Sequence, residues 1–339
     1  MNVFNKVTRF GLEDLRTDLI ERARAMTSIR SANHPWKAMS DEEILRSAGL
    51  LLKDEITHEE GITIAAILLF GKDSTIMSVL PQHKTDAIFR VENLDRYDDR
   101  DVITTNLLET YDRLIEFGHK HLSDPFVLEG VNSVSARDKI LREIFSNSLA
   151  HRNYSSGYVA KFVIEKNRMF TVNANRSHGH GTLNLSSFEP YAKNPPISKV
   201  FREISLADEL GSGMRNTYKY TKLYSGGTPQ FIEGDIFQTI IPLDTVSIGK
   251  VGPEEVQNDK TQVKTQVKTQ VTILAFCNIP RSKAEIAAHC GYKNTKSFTK
   301  NHLRPLLNSG LLQMTIPDKP SSRNQRYVVS SKEDYESGL

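Results

Sequence analysis

The stretch LREIFSNSLAHRNY carries three polar side chains at steps of four, namely Glu143, Asn147 and His151. Residues four apart lie one above another on a helix, so this spacing lines up a carboxylate, an amide and an imidazole in one polar stripe. The stripe is therefore either a solvated face, with Glu143 paired to Arg142 or Lys139, or one wall of a chemical site.

The elements that follow the stripe have the order of an α+β sandwich. YVAKFVIE and RMFTVNA predict a hairpin, and the Gly- and His-rich loop NRSHGHGTLN comes after it. A helix through ISKVFREISLADEL, the loop GSGM and a helix through RNTYKYTKLY come next. A second hairpin, PQFIE and IFQTIIPL around a Gly234–Asp235 turn, closes the unit. This order predicts helices on one face of an antiparallel sheet.

Four segments in this region and beyond it resemble a known family: REIFSNSLAHRNYSSG, VNANRSHGHG, NPPISKVFREISLADELGSGMRN and IPDKPSSRNQRY. They resemble the GHKL-type ATPase module of the gyrase B subunit, the 90-kDa heat-shock chaperones and histidine kinases. More closely, they resemble the RecG-related or Schlafen/Alb-associated ATP-binding family of bacterial transcriptional regulators. The resemblance implies ATP and Mg²⁺ as ligands and, by analogy, a homodimer. It also implies an upstream Alb-like DNA-binding domain, so the chain is either a short member or one from which that domain was removed.

The resemblance implies a role for each matching residue of the site. Asn147 would hold Mg²⁺ against the phosphates, and Glu143 would orient or deprotonate the attacking water. Gly211, Ser212 and Gly213 would offer backbone N–H groups at a helix N-terminus to phosphate oxygens. Phosphoryl transfer needs this positioning, a metal and a carboxylate rather than covalent chemistry.

The sequence departs from the family pattern Asp-x-Gly-x-Gly after the second strand. Asn173 stands where an aspartate reads the adenine amino group, and Ala174 and Asn175 stand where flexible residues are expected. An asparagine can still hydrogen-bond adenine. A nucleotide-sensing regulator, a slow Mg²⁺-dependent ATPase and an interaction protein with an inactive pocket therefore all stay open. His178 and His180 are of a residue type that binds metals, but no third ligand stands nearby, so the pattern favours a mobile glycine-rich lid over a metal site.

Positive charge is concentrated at the C-terminal end. Residues 272–331 contain nine Lys and Arg against Glu285 and Asp318, a net +7, so the rest of the chain carries −4 of the total +3. Helical patterns in VTILAFC, in SKAEIAAHCG with Ser282 as N-cap, and in NTKSFTKNHLRPLLNSG precede a strand pair, with a kink expected at Pro305. This pattern predicts a winged helix-turn-helix that binds duplex DNA, or alternatively a protein partner.

The DNA contacts are predicted on the third helix and the wing, with lysines and arginines on phosphates and short polar side chains on bases. These residues are Lys293, Lys296, Ser297, Lys300, Asn301, Lys319, Arg323 and Arg326. The predicted organisation is a mixed, mostly helical scaffold (1–125), a GHKL-like sandwich (126–245), a linker (246–271), the winged helix (272–331) and a tail (332–339). The linker ends in the repeat KTQVKTQVKTQV, whose four-residue period fits a strand or a helix, and continuity with the next helix favours the helix.

Several classes of protein are excluded by what the sequence lacks. No apolar run is long enough to span a bilayer, and the start lacks the apolar core of a signal peptide. The segment FGKDS is not a P-loop, because position 66 is alanine where the Walker pattern needs glycine, and this argues against a P-loop helicase. Two cysteines in the whole chain form no disulfide framework, so a cytoplasmic location is expected.

Overall fold

The chain forms two compact α+β units. The first contains residues 1–127 and 135–251, and the second contains residues 128–134 and 252–339. The structure is a computed structural model that describes residues 6–54, 56–92, 96–129, 132–177, 179–185, 191–208, 211–244, 272–274, 276–292, 295–308, 311–317, 322 and 325–329. The predicted linker, the KTQV repeat and the tail lie outside the described residues.

The helices of the first unit are α1 (Thr17–Arg30), α2 (Asp41–Ala48), α3 (Ile64–Phe70), α4 (Asp73–Val79), α5 (Leu107–His121), α6 (Ala136–His151), α7 (Pro195–Glu203) and α8 (Ser212–Ser225). The strands of the described residues are β1 (Leu51–Lys53), β2 (Glu60–Ile62), β3 (Thr85–Phe89), β4 (Asp99–Ile103), β5 (Val127–Glu129), β6 (Asn132–Val134), β7 (Ala160–Glu165), β8 (Arg168–Ala174), β9 (Gly181–Thr182), β10 (Gln230–Glu233), β11 (Ile236–Pro242), β12 (Arg281–Ser282), β13 (Leu312–Met314) and β14 (Arg326–Val329).

A seven-stranded sheet organises the first unit, in the order β4-β3-β7-β8-β11-β10-β9. The two predicted hairpins, β7–β8 and β10–β11, are present and antiparallel. The pairing of β3 with β7 is parallel, so the sheet is mixed rather than purely antiparallel. Strands β3 and β4 come from the segment predicted as a separate scaffold. The pairing of β3 with β7 joins residues seventy-five positions apart, such as Thr85 and Ala160, and no local sequence pattern indicates such a partner.

Helix α6 packs on one face of this sheet. The rings of Phe145 and Phe162 are 4.7 Å apart in a T-shaped arrangement. The register places Thr171 and Thr239 beside Phe162 on the next two strands. Because side chains alternate along a strand, Asn173 lies on the same face as Thr171. The opposite face carries a separate buried cluster of Ile88, Val163, Phe170 and Val172.

Local capping signals in the first unit are confirmed. The Ser40 hydroxyl accepts from the Glu43 N–H at 3.3 Å, and the Glu43 carboxylate accepts from the Ser40 N–H at 2.7 Å. The three-residue spacing of Ser40 and Glu43 in the sequence predicts this reciprocal pair, a capping box at the start of α2. The apolar run ITIAAILLFG, residues 62–71, is too short to span a bilayer. It contains α3, in which every residue is buried. Within the described residues, no helix combines the length and the apolar character needed to cross a membrane.

Two element boundaries differ from the prediction. The helix predicted to run to residue 210 ends at Glu203, and Ser205 adopts a left-handed conformation with φ of 61°. A β-carbon disfavours that conformation in a continuing helix. Gly211, with φ of 94°, is the N-cap of α8, so the predicted GSGM loop is largely the first helical turn and Gly213 lies inside it. Part of the glycine-rich loop also differs, because Gly181 begins the edge strand β9.

The second unit combines a three-stranded antiparallel sheet, in the order β12-β14-β13, with short helices. Residues 272–274 and 276 are helical, and α9 (Lys283–His289) begins with the predicted Ser282–Glu285 capping box. The third helix is interrupted, with Thr299–Leu303 forming a π-helical turn directly before Arg304 and Pro305. Because proline cannot donate a backbone hydrogen bond, a widened turn accommodates it. The core of this unit consists of Ile273, Cys277, Ile286, Ala287, Phe298, Leu303, Leu306, Leu312 and Tyr327.

Candidate functional site

A cavity of about 370 Å³ lies in the first unit, lined by residues of α6, α7, α8 and strands β8, β10 and β11. All six predicted cofactor and catalytic residues line it: Glu143, Asn147, Asn173, Gly211, Ser212 and Gly213. His151, the third member of the polar stripe, lines it as well. The stripe on α6 therefore faces a cavity rather than open solvent.

Glu143 is nearly buried, with 9% of its surface exposed. The Asn216 side-chain amide donates to it at 3.1 Å and also donates to Asp208 at 3.0 Å. Burial raises the pKa of Glu143, the Asn216 hydrogen bond opposes the rise, and the Asp208 carboxylate adds to it. Arg142 pairs with Asp208 rather than with Glu143. A carboxylate whose pKa is raised in a cavity has the character of a general base.

The first turn of α8 approaches Glu143 closely. A β-carbon on Gly213 would lie 2.8 Å from Glu143 Oε2, closer than such atoms normally come. Gly211 has the positive φ that favours glycine, and it precedes the exposed N–H groups of the helix start. These two glycines let the helix N-terminus reach the cavity wall beside the carboxylate.

Asn173 supplies a buried acceptor on the sheet side of the cavity. Its side chain is 1% exposed, and its Nδ2 donates to the Ala174 carbonyl at 3.1 Å. Its Oδ1 has no hydrogen-bond partner among the described residues. Apolar side chains of Met214, Phe231 and Phe237 pack together along the same cavity. A flat apolar ligand with a hydrogen-bond donor on its edge would satisfy both features.

A polar network closes another part of the cavity wall. Lys193 donates to the Asn175 amide oxygen and, at 3.3 Å, to Glu233. Burial lowers the pKa of Lys193, and Glu233 opposes that effect. Burial, and then the nearby Lys193 ammonium, lower the pKa of His151 to about 4, so its imidazole is neutral at pH 7. Asn175 thus has a structural role rather than the flexibility expected at its position.

Helix α7 contributes a wall that the sequence analysis missed. Ser198, Lys199 and Arg202 line the cavity, and the Ser198 hydroxyl has no hydrogen-bond partner among the described residues. Lys199 donates to the Ser47 backbone carbonyl. The three residues lie in the segment NPPISKVFREISLADELGSGMRN that carries the resemblance, but no site role was predicted for them. Their i, i+1 and i+4 spacing on an amphipathic helix could have suggested a shared face.

The cavity fits one mode of Mg²⁺ binding. Among the residues that the structure describes, no cluster of three or more His, Cys, Asp or Glu could hold a metal by itself. Mg²⁺ is commonly held by one or two protein oxygens together with water and substrate phosphates. Asn147 and the neighbouring Glu143 fit that mode and would depend on a phosphate ligand. His180 is exposed, and His178 lies outside the described residues.

The predicted DNA-contacting residues are distributed over the second unit. Lys296 and Ser297 belong to the short helix Thr295–Phe298, and Lys300 and Asn301 belong to the π-helical turn that follows. The wider turn changes the angular spacing between Lys296 and Lys300 from that of an ordinary α-helix. Arg326 is exposed on β14 and lies 3.8 Å from Glu285. Lys293, Lys319 and Arg323 lie outside the described residues.

Two family models match parts of the chain. Residues 4–86 match a domain of unknown function (DUF8451), and residues 265–330 match the C-terminal domain of the Fic-like family, described as filamentation induced by cAMP protein Fic-like. No curated protein matches the sequence.

A solved structure, that of the DIP2311 protein from Corynebacterium diphtheriae, is similar over 97% of this chain with a TM-score of 0.54 and 16% sequence identity. This chain spans 64% of the length of that one. The likeness shows a shared fold.

Proposed function

We propose that the cavity of the first unit binds a purine nucleotide, ATP together with Mg²⁺, and that the protein is a transcriptional regulator that senses it. The observation that supports this proposal most directly is that Asn173 Oδ1, beside the apolar slot of Met214, Phe231 and Phe237, has no partner in the described part of the chain. Because Nδ2 already donates to Ala174, Asn173 offers an acceptor to the base, and a guanine in the orientation that would present the 6-amino group of adenine presents an acceptor instead. The 6-amino group of adenine can donate to Asn173 Oδ1, whereas the 6-oxo group of guanine cannot.

The size and the polar lining of the cavity agree with a nucleotide. Small-molecule sites commonly measure about 300–1,000 Å³ and combine apolar walls with a few polar groups. The backbone N–H groups in the first turn of α8, between Gly211 and Gly213, suit phosphate oxygens. Asn147 would hold the metal against the phosphates. Bound Mg²⁺ would supply charge neutralisation of the phosphates.

Glu143 is proposed to position the attacking water if the nucleotide is hydrolysed. Its pKa is raised by burial, and Asn216 fixes one oxygen while the other faces Gly213. Slow Mg²⁺-dependent ATP hydrolysis is therefore the second candidate activity. The two candidate activities use the same nucleotide site and differ in whether the Glu143 carboxylate positions a water molecule for attack on the phosphate.

Nucleotide binding to the purified 339-residue chain, measured by isothermal titration calorimetry, tests the proposal. ATP with Mg²⁺ is expected to bind at micromolar concentrations, and GTP is expected to bind at least tenfold more weakly because Asn173 would face an acceptor. Asn147→Ala is expected to abolish the Mg²⁺ dependence, while Glu143→Ala retains binding and loses any hydrolysis. Asn33→Ala, at an exposed position outside the cavity lining, is the matched control.

Equal ATP affinity in wild type and Asn147→Ala would refute the role of Asn147. Absence of binding by wild type would leave an interaction protein with an inactive pocket as the better description. A circular dichroism spectrum of each variant shows whether the fold is retained.

We further propose that the second unit binds duplex DNA. The support is the net charge of +7 over residues 272–331, together with a capped helix beside a three-stranded sheet, an arrangement compatible with a winged helix. If lysines contact phosphates, Lys296→Ala and Lys300→Ala should each weaken binding to all sequences alike. Each should also reduce the slope of log affinity against log salt by about one unit.

Replacement of Ser297 or Asn301 should instead cost about 1–3 kcal/mol on the preferred sequence only. A salt titration of the full chain against a duplex measures both effects. Binding that is absent at low salt, or that is unchanged in the double lysine variant, would favour a protein partner for this unit.

A further inference from the structure

We propose that the α7 wall of the cavity is a polyphosphate subsite, in which Lys199, Arg202 and the Ser198 hydroxyl bind the outer phosphates of the nucleotide. The inference rests on the proposed function and deepens it, because it names the residues that would bind the outer phosphates of the nucleotide.

The charges of the cavity lining are unequally compensated. Three cations line it, and one of them, Lys193, contacts the Glu233 carboxylate. Within the described part of the chain, no carboxylate lies within 4 Å of the Lys199 ammonium or the Arg202 guanidinium. Both side chains are half-buried. Cations removed from water without a counterion are costly, so an anionic ligand would stabilise this wall.

The carboxylates of the cavity cannot serve as those counterions. Asp208 is paired with Arg142, and Glu233 is paired with Lys193. Glu143 lies on α6, where the Asn216 amide donates to it and Gly213 at the start of α8 approaches it. The uncompensated charge at the α7 wall is therefore positive.

Ser198 provides an independent indication of a ligand. Its hydroxyl oxygen is buried and has no hydrogen-bond partner among the described residues, although it lines the cavity. Ser198 and Arg202 are four apart, and Lys199 and Arg202 are three apart, so the three side chains share one face of α7. A hydroxyl donor beside an ammonium and a guanidinium matches the many acceptor oxygens of a phosphate chain.

Lys199 has a weak partner that a phosphate can displace. Its ammonium donates to the neutral backbone carbonyl of Ser47. A charged phosphate oxygen is a stronger acceptor, because hydrogen bonds between ionised groups are roughly twice as strong as neutral ones. Binding of a polyphosphate is therefore expected to move this ammonium from the Ser47 carbonyl to the ligand.

The experiment compares ATP, ADP, AMP and adenosine by calorimetry on the full chain. Lys199→Gln and Arg202→Gln are each expected to weaken ATP binding by about tenfold to a hundredfold, the effect of losing one charge-assisted contact. Adenosine affinity should stay within about twofold of wild type. Arg215→Gln is the matched control, since this exposed arginine of α8 changes the net charge equally and does not line the cavity.

The ratio of ATP to adenosine affinity decides the inference. If wild type binds ATP and neither glutamine variant changes that ratio, the α7 subsite is refuted while the nucleotide pocket stands. If wild type binds neither ATP nor adenosine, the proposed function fails as well. Arg202→Gln separates a loss of phosphate contact from any local disturbance at Ser47, because the donor to that carbonyl is Lys199 and not Arg202. Thermal melts of both variants verify that the fold is intact.

Discussion

Glu143 should make the protein less stable at neutral pH than a neutral side chain would. The carboxylate is 9% exposed and shares Asn216 with the Asp208 carboxylate. Burial raises its pKa above the value in the unfolded chain. Glu143→Gln keeps the acceptor for Asn216, offers an N–H to Asp208 and removes the buried charge. Sites shaped for function commonly carry such a cost in stability.

The sign of the pH dependence follows from the direction of the shift. When the folded pKa lies above the unfolded one, the folded state binds the proton more tightly, and stability falls as pH rises through that interval. The Glu143→Gln variant has no titrating carboxyl group at this position, so its stability does not fall with pH in this way. It should therefore match wild type at acidic pH, where both side chains are neutral, and exceed it at pH 7–8.

The expected gain in the free energy of unfolding is about 0.5–2 kcal/mol, the range for relieving one such site. For a unit of this size, each kcal/mol added to the free energy of unfolding raises the melting temperature by about 2–4 °C. Trp36 is the only tryptophan of the chain, and it is buried in the first unit, where its indole donates to Ser47. Its fluorescence therefore reports the unfolding of the unit that contains Glu143.

The measurement is a set of urea or thermal melts of wild type and Glu143→Gln between pH 4.5 and 8. Glu116→Gln, an exposed position on α5, makes the same chemical change without burial and should alter stability by less than about 0.5 kcal/mol at every pH. The reasoning would be wrong if Glu143→Gln were less stable than wild type at pH 8, or if its advantage did not shrink on acidification.

Three further predictions concern buried groups. Arg152 is 1% exposed, and its Nε has no partner among the described residues. Arg152→Met should therefore leave the melting temperature unchanged or raise it, because it replaces a buried charge with an apolar side chain. Arg152→Ala should instead lower the free energy of unfolding by about 2–5 kcal/mol, because it leaves a cavity. Equal destabilisation by Met and Ala in thermal melts would contradict this. His83 is 2% exposed, and burial followed by the Arg152 charge lowers its pKa to about 4. Stability present above pH 6.5 should therefore be lost as pH falls towards 4, by up to roughly 3 kcal/mol, and His83→Gln should flatten the profile in melts across that range. Gly213→Ala should weaken ATP binding in calorimetry, because a methyl group on this cavity-lining residue would narrow the space proposed for phosphate at the start of α8. The melting temperature should change little, because an alanine suits the helix and the atoms nearest to its β-carbon belong to the Glu143 carboxylate. Unchanged ATP affinity would show that the phosphates do not approach Gly213.

Local signals in the sequence determined much of the fold. The capping boxes at Ser40 and Ser282 are present, because a cap depends on residues three positions apart. The hairpin of β10 and β11 is present for the same kind of reason, since its turn lies between adjacent strands. The i, i+4 spacing of Glu143 and Asn147 correctly placed them on one helix face, and that face lines the cavity.

The tertiary structure decided which other elements line the cavity together with the α6 face of Glu143 and Asn147. The parallel pairing of β3 with β7 joins distant parts of the chain, so its partner choice depends on topology rather than on local propensity. Lys199 and Arg202 were given no site role from the sequence, and they reach the cavity because α7 packs beside α6. The early end of α7 at Glu203 and the start of α8 at Gly211 likewise depend on backbone conformations that the amphipathic pattern did not indicate. A helix face can be predicted from the spacing of its own residues, whereas a pocket requires several faces to meet, and their meeting depends on contacts between residues far apart in the chain.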